Sequence, residues 1–167
     1  MNNWPTVELD HVARLRVLAR VLPGVWMEER VMDAPFEDVW GLATDFERVP
    51  EFDTDVHSVT VLWRQDERAR LRVRANVLGV GLPAGPVAVD VRNGWCWMRS
   101  PVYVVGMAAV PEGDRTRFAH LEGVPLRGPR WLQLLLQPVA HLSRWRHRHH
   151  IPHDLDGIER CLGLRPD

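Results

Sequence analysis

Residues 28–40 read EERVMDAPFEDVW, and this stretch decides the fold more than any other. It completes a short alternating segment at 25–32, which favours a β-strand. Ala34 ends that segment, and Pro35 stands where a helix begins. Glu37 and Asp38 occupy the first turn, where carboxylates interact favourably with the positive end of the helix dipole. The stretch therefore predicts a strand that passes directly into a short helix.

The sequence that follows changes to an alternation of period two, which is typical of strands with one buried face. We predict strands at 55–63, 69–77, 87–91, 95–99, 102–110 and 116–124. After Gly128-Pro129 the apolar spacing becomes helical to about residue 162, with interruptions at Pro138 and Pro152. Strands that precede a long helix in this way indicate an α+β fold with a curved antiparallel sheet. Such a sheet, crossed by one long helix, encloses a cavity.

The residues before the first strand have a helical pattern of their own. Apolar residues recur at helical spacing over 7–21, and Pro23-Gly24 stops the pattern. We therefore expect an N-terminal helical extension at 1–24 and one main domain at 25–163. A chain of 167 residues with 46% hydrophobic side chains is long enough for one sizeable core.

The cationic residues exclude several kinds of chemistry. All 21 of them are arginine, so a Schiff-base amine, a pyridoxal-phosphate anchor and a Walker-A lysine are excluded. The formal net charge of −1 predicts no attraction to nucleic acid or to an anionic membrane. Cys96 and Cys161 are far apart and form no metal-type pair, which favours a reducing, cytoplasmic setting. No signal peptide or membrane-spanning stretch is expected.

Charge is unevenly distributed along the chain. Residues 1–67 hold 14 acidic side chains and 6 arginines, whereas residues 68–167 hold 15 arginines and 8 acidic side chains. This polarity permits a head-to-tail homodimer. The segment Arg144–His153, RWRHRHHIPH, is the densest polar stretch, and it predicts either a solvated basic helix face or a docking surface for an acidic partner. His149 and His153 are four residues apart, but Pro152 and the lack of a carboxylate between them argue against a metal site there.

Three stretches resemble the polyketide cyclase/START-like (SRPBCC) superfamily. Residues 28–40 resemble its opening, in which a first strand runs into an Ala-Pro turn and a Val-Trp helix. Residues 45–52, DFERVPEF, resemble the segment that leads into the second strand, and residues 154–160, DLDGIER, resemble the end of the long helix. The resemblance implies a helix-grip fold over about 25–163 with a deep hydrophobic cavity. Members bind lipids, sterols or quinones, or cyclise and dehydrate polyketide chains, so the fold alone selects no function.

The resemblance also suggests an arginine in the cavity. Aromatase/cyclase relatives place one on the strand at 69–77, a few residues before a glycine comparable to Gly79, and Arg72 matches that spacing best. An interior Arg72 would hold a carboxylate, a thioester oxygen or an enolate by charge-assisted hydrogen bonds. The alternation itself favours the opposite orientation, with Leu71 and Val73 inward and the arginines in water.

Three further residues are candidates for acid–base catalysis. Tyr103 is the only tyrosine and lies on a predicted strand, where it is either a phenol donor or a half-buried core residue. His120 and Glu122 share one face of the last strand. If that face points inward they form an acid–base pair beside a ligand, and if it points outward they decorate the surface.

Large apolar side chains are candidates to line the cavity around a flat ligand. Trp95 and Trp97 lie two apart on one strand and therefore project to the same side. The full expected lining is Trp40, Trp63, Trp95, Trp97, Trp131, Leu135, Leu142 and Trp145. Ordinary core packing explains the same tryptophans.

Together these features predict a biosynthetic cyclase/aromatase-like protein that folds a poly-β-ketone in its cavity and promotes aldol closure and dehydration, without a cofactor or metal. Arg72 would anchor oxygen, while Tyr103, His120 and Glu122 would move protons. An acyl carrier protein would dock at the basic Arg144–His153 segment. The alternative is a non-catalytic protein that binds or transports a lipid, a quinone or an aromatic metabolite.

Overall fold

A computed structural model describes residues 8–126 and 129–165. It consists of one antiparallel sheet of eight strands with helices on both of its faces. The strands are β1 (Val25–Met32), β2 (Val56–Gln65), β3 (Arg68–Val77), β4 (Val80–Gly81), β5 (Gly85–Arg92), β6 (Trp95–Arg99), β7 (Val104–Glu112) and β8 (Arg115–Gly123). The helices are α1 (His11–Val21), α2 (Phe36–Thr44), α3 (Arg130–Leu135) and α4 (Gln137–Cys161), with a 3-10 helix at Phe46–Glu51.

The sheet order is β1-β8-β7-β6-β5-β3-β2, and the short β4 pairs with β3. Every neighbouring pair is antiparallel, so the chain runs as a meander that places β1 beside β8. This arrangement confirms the predicted α+β, helix-grip fold. The two-residue strand β4 is too short for a period-two pattern to reveal it.

The sheet packs on both faces. On one face, α2, the 3-10 helix and α4 form the larger core with residues such as Met32, Phe46, Phe118, Ile151 and Ile158. On the other face, α1 forms a second core with strands β7 and β8. Consequently, the central strands are covered on both faces, and they carry apolar side chains on both.

The two prolines of the C-terminal region behave differently. Pro138 stands in the first turn of α4, after the break at Leu136 that separates α3 from α4. Pro152 lies inside α4, which continues past it to Cys161. The predicted interruption at Pro138 is therefore seen, whereas at Pro152 the helix continues although proline removes a backbone donor there. No helix of the described residues is long and apolar enough to cross a membrane.

Candidate functional site

A cavity of about 320 Å³ lies against the inner face of the sheet. Strands β3, β5, β6 and β7 supply apolar walls, and residues 46–56 and the loops at 82–84 and 100–103 enclose the rest. The apolar lining includes Leu71, Val73, Val87, Met98, Val105 and Met107. Tyr103, His120, Glu122, Asp53 and Asp55 also border the cavity. An apolar pocket with a few convergent polar groups suits a hydrophobic molecule that carries polar atoms.

The resemblance implied a cavity between the sheet and the C-terminal helix. Among the described residues, α4 supplies none of the lining. Instead, α4 lies behind the polar groups and contacts them through His147, His150 and Asp154. The helix α4 therefore contributes polar side chains to the site, and the sheet contributes the apolar walls of the cavity.

Four side chains form what we call the Tyr103 network: His120, Glu122, Tyr103 and His147. The hydroxyl of Tyr103 donates to Glu122 Oε2 at 3.0 Å, and the same hydroxyl lies 2.5 Å from His147 Nε2. On the far side of Glu122, its Oε1 lies 3.2 Å from His120 Nε2. His120, Glu122 and His147 are all at most 3% exposed. The network is thus continuous, and three of its members, Tyr103, His120 and Glu122, border the cavity.

The orientation of His147 follows from its backbone contact. Its Nδ1 lies 2.6 Å from the carbonyl oxygen of Ser143, which can only accept a hydrogen bond. Nδ1 must therefore carry a hydrogen, and in the neutral imidazole Nε2 is a bare acceptor that faces Tyr103. The Tyr103 hydroxyl then has one hydrogen and two acceptors within reach, Glu122 and His147.

Burial and neighbouring charges set the protonation of this network. Burial, together with the charge of Glu122, raises the pKa of Tyr103 well above its ordinary value, so the phenol stays protonated. Burial also lowers the pKa of His147 and favours its neutral form. Burial alone would raise the pKa of Glu122, but its interaction with the adjacent His120 imidazole lowers it to about 2. The network therefore combines a neutral donor, a neutral base and an anion.

A second group, the Asp154 cluster, adjoins the first and consists of Asp53, His150 and Asp154. His150 Nε2 lies 3.4 Å from Asp53 Oδ1 and 3.3 Å from Asp154 Oδ2. Next to it, Arg146 donates to both oxygens of Asp55 at 2.8 and 2.6 Å. Burial, with the charges of Glu122 and Asp53, raises the pKa of Asp154 to about 11.

The expected inward orientation of Arg72 is wrong. Its side chain is exposed on the outer face of β3, while its neighbours Leu71 and Val73 line the cavity. Arg72 pairs across the sheet with Thr60, which is also exposed. Side chains alternate strictly along a strand, and the apolar ones occupy the inner face.

The expected tryptophan and leucine lining is also wrong, since none of these eight side chains borders the cavity. Trp95 and Trp97 stack at 6.3 Å between ring centroids and pack with α1 on the opposite face of the sheet. Trp40 is buried in the larger core, away from the cavity. The other five are at least half exposed: Trp63, Trp131, Leu135, Leu142 and Trp145.

For His120 and Glu122 the structure decides between the two orientations left open by the sequence. Both point inward, on the face that Phe118 shares, and both border the cavity. Tyr103 borders it too, so three of the four predicted catalytic residues come together. Their catalytic roles remain predictions.

Sequence reasoning missed the polar residues of α4 and of the loop after the 3-10 helix, namely His147, His150, Asp154, Asp53 and Asp55. A signal was present for the helix. Ser143, His147, Ile151, Asp154 and Ile158 recur at spacings of three or four residues, which places them on one helix face, and all are buried. By contrast, His149 and His153 are exposed.

The fold and the internal cavity are of the helix-grip type that START-like proteins share. The model of the family described as "Polyketide cyclase / dehydrase and lipid transport" matches residues 32–93, which confirms the resemblance seen in the sequence. No curated protein matches the chain significantly in sequence.

Solved structures with the same fold span most of the chain. A protein of Thermus thermophilus is 24% identical, with a TM-score of 0.61, and the match covers 85% of this chain and 99% of that one. The Zhui aromatase/cyclase of a Streptomyces species is 13% identical, with a TM-score of 0.62 and coverage of 80% and 90%. A START superfamily protein of Mycobacterium smegmatis is 17% identical, with a TM-score of 0.56 and coverage of 83% and 99%. The family match and the cavity together indicate a protein that binds a hydrophobic small molecule.

Proposed function

We propose that the protein binds an aromatic or polyketide-type molecule in the cavity and promotes its cyclisation and dehydration through the Tyr103 network. The observation that carries the proposal is the position of the Tyr103 hydroxyl. Tyr103 borders an apolar cavity, and its hydroxyl contacts both Glu122 and His147. A phenol held by a base and a carboxylate in a buried site is suited to general acid–base catalysis.

The steps of an aldol closure assign a task to each group. A proton must leave the carbon between two carbonyls, and the oxygen of the attacked carbonyl must gain one. The Tyr103 hydrogen turns from Glu122 to Nε2 of His147 and passes to that nitrogen, while the Tyr103 oxygen takes the proton from the ligand's carbon. The same relay run in reverse protonates the new alkoxide, so the closure leaves the network unchanged.

Dehydration uses the same groups a second time. One C–H bond adjacent to the ring carbonyl breaks, the hydroxyl formed in the closure leaves with a proton, and one molecule of water is released. Glu122 accepts from Tyr103 at 3.0 Å and lies beside His120, so it holds the phenol in place and acts as a positioning residue.

One observation favours a non-catalytic alternative. Most of the cavity lining is apolar, and apolar walls alone bind a lipid or an aromatic metabolite without chemistry. The family description includes lipid transport as well as cyclisation. In that case the Tyr103 network would only anchor a polar atom of the ligand.

The predicted docking of an acyl carrier protein is retained in a narrower form. Within Arg144–His153, Arg146 is paired with Asp55, and His147 is buried. Arg144 and Arg148 remain exposed on the outer side of α4, beside the exposed Trp145. These two arginines would contact the acidic carrier.

The test is turnover of a synthetic poly-β-ketone thioester by the wild type, by Tyr103→Phe and by Arg72→Ala. We expect Tyr103→Phe to lower cyclisation at least tenfold, because it removes the transferable hydrogen and keeps the ring. Arg72→Ala is the matched control and should retain wild-type turnover, since Arg72 is exposed on the outer face. A wild-type product profile from Tyr103→Phe would overturn the catalytic proposal. Tight binding of the thioester without turnover by the wild type would favour the carrier alternative.

A further inference from the structure

Asp154 carries a buried carboxylate that has no hydrogen-bond partner among the described residues. Its side chain lies on α4 and is 0% exposed. Burial of a charged carboxylate without a partner costs several kcal/mol. A group that supplies positive charge at this position is therefore required, or the carboxylate is protonated.

The atoms around Asp154 have the spacing of metal ligands. His150 Nε2, which also has no hydrogen-bond partner among the described residues, lies 3.3 Å from Asp154 Oδ2 and 3.4 Å from Asp53 Oδ1. In a tetrahedral zinc site with bonds of about 2.0–2.1 Å, two ligand atoms are about 3.3–3.4 Å apart. The observed separations are too long for good hydrogen bonds and match the edges of such a tetrahedron.

The neighbouring residues keep these three side chains available and in place. Asp55 Oδ2 lies 3.6 Å from His150 Nε2, but the Asp55 carboxylate is held by Arg146. The backbone amide of Asp55 donates to Asp53 Oδ1 at 2.9 Å, which orients the Asp53 carboxylate. Contacts of this kind fix ligands around a metal ion.

We propose that Asp53, His150 and Asp154 form a three-ligand site for a divalent first-row transition metal ion such as Zn²⁺. Imidazole and carboxylate donors suit these ions, and two carboxylates neutralise the charge of one dication. Three protein ligands leave a fourth coordination position open. Asp53 borders the cavity, so the proposed metal site adjoins it. The proposal stands whether or not the Tyr103 network is catalytic.

The competing arrangement has no metal. In it, His150 is an imidazolium between the two carboxylates, and Asp154 is held as the neutral acid. Both arrangements predict that Asp154→Asn affects the site, so the measurement must be of metal binding itself.

The experiment strips the full-length chain with a chelator and then titrates it with ZnCl2 by isothermal calorimetry. We expect one ion per chain, and at least tenfold weaker binding in His150→Ala and in Asp154→Asn. His149→Ala is the matched control, because His149 lies on the exposed side of the same helix, and it should bind like the wild type. Circular dichroism establishes that each variant is folded, and Asp53→Asn replaces any variant that is not.

A second measurement reports the coordination directly. Co²⁺ added to the stripped protein should give the intense visible absorption of a four-coordinate site, and His150→Ala should abolish it. Absence of stoichiometric Zn²⁺ binding by the wild type would overturn the proposal. Binding that His150→Ala and Asp154→Asn leave unchanged would do the same, since it would place the ion elsewhere.

Discussion

The packing of α4 against the segment that carries Asp53 leads to a sharp prediction about Gly157. A Cβ atom at this position would lie 2.6 Å from the carbonyl oxygen of Phe52, and 2.9 Å from both its Cα and its Cβ. Two of these three atoms belong to the backbone, so rotation of a flexible side chain does not relieve the clash. Gly157→Ala must therefore push α4 away from Phe52.

Two opposing effects determine how much Gly157→Ala changes the free energy of unfolding. Replacement of glycine by alanine inside a helix stabilises it by about 1 kcal/mol. Overpacking of a close contact costs about 1–3 kcal/mol, and the backbone contacts place this case in the upper part of that range. We expect a net destabilisation of about 1–2 kcal/mol, or a fall in Tm of about 2–8 °C for a chain of this size.

Gly41 provides the control. It lies in α2, and a Cβ there would meet nothing within 4 Å. Gly41→Ala therefore gains helix propensity alone and should stabilise the protein by up to about 1 kcal/mol. Urea denaturation followed by circular dichroism measures both variants. The packing argument is refuted if Gly157→Ala is as stable as the wild type, or if the two variants shift stability in the same direction.

Three further predictions concern residues elsewhere. Ser143→Ala should cost about 1–3 kcal/mol in thermal denaturation, because it removes two hydrogen bonds of the buried Ser143 hydroxyl, which donates to the carbonyl oxygen of Gly24 at 2.6 Å and accepts from the amide of Val124 at 3.1 Å. An unchanged Tm would contradict this. Arg72→Ala should change the free energy of unfolding by less than about 0.5 kcal/mol in thermal denaturation, since the Arg72 side chain is exposed. A larger loss would mean that Arg72 has a structural partner. Cys96 should resist a thiol-specific reagent in the native state while Cys161 reacts, because Cys96 is 0% exposed and burial raises its pKa. Peptide mass spectrometry measures the labelling of each thiol, and equal labelling of both would be inconsistent with the packing.

The fold could be predicted from the sequence because local signals agreed with one another. The strand–turn–helix of residues 28–40 has the observed boundaries to within a residue, with β1 ending at Met32 and α2 beginning at Phe36. The strand β6 has the predicted limits, Trp95–Arg99. Each of these elements has turn residues at its ends and a single clear period.

The site was harder to predict, and the tryptophans show why. Period-two alternation separates two faces of a strand but does not say which face borders the cavity. Here α1 covers the outer face, so Trp95 and Trp97 are packed there while Cys96 and Met98 face the other way. A sheet that is covered on both sides gives each face an apolar pattern.

The case of Arg72 shows the opposite error. Its strand alternates so clearly that the pattern alone places Leu71 and Val73 inside, and the structure agrees. The family resemblance suggested the reverse and was wrong, because a residue's spacing to Gly79 carries less information than the face on which it lies. For His147 and Asp154 the helical spacing was present, but the many charged residues of α4 obscured it.

We propose that the cavity binds a hydrophobic molecule whose polar atom contacts Tyr103, and one binding measurement tests this most directly. The wild type, Tyr103→Phe and Val73→Trp are titrated with 1,8-dihydroxyanthraquinone, a flat aromatic probe that carries carbonyl oxygens. We predict 1:1 binding by the wild type and an affinity about 3–10-fold lower in Tyr103→Phe, which is the value of one neutral hydrogen bond. Val73→Trp should abolish binding, because Val73 lines the cavity and the larger side chain fills it. Equal affinity in all three proteins would contradict the account.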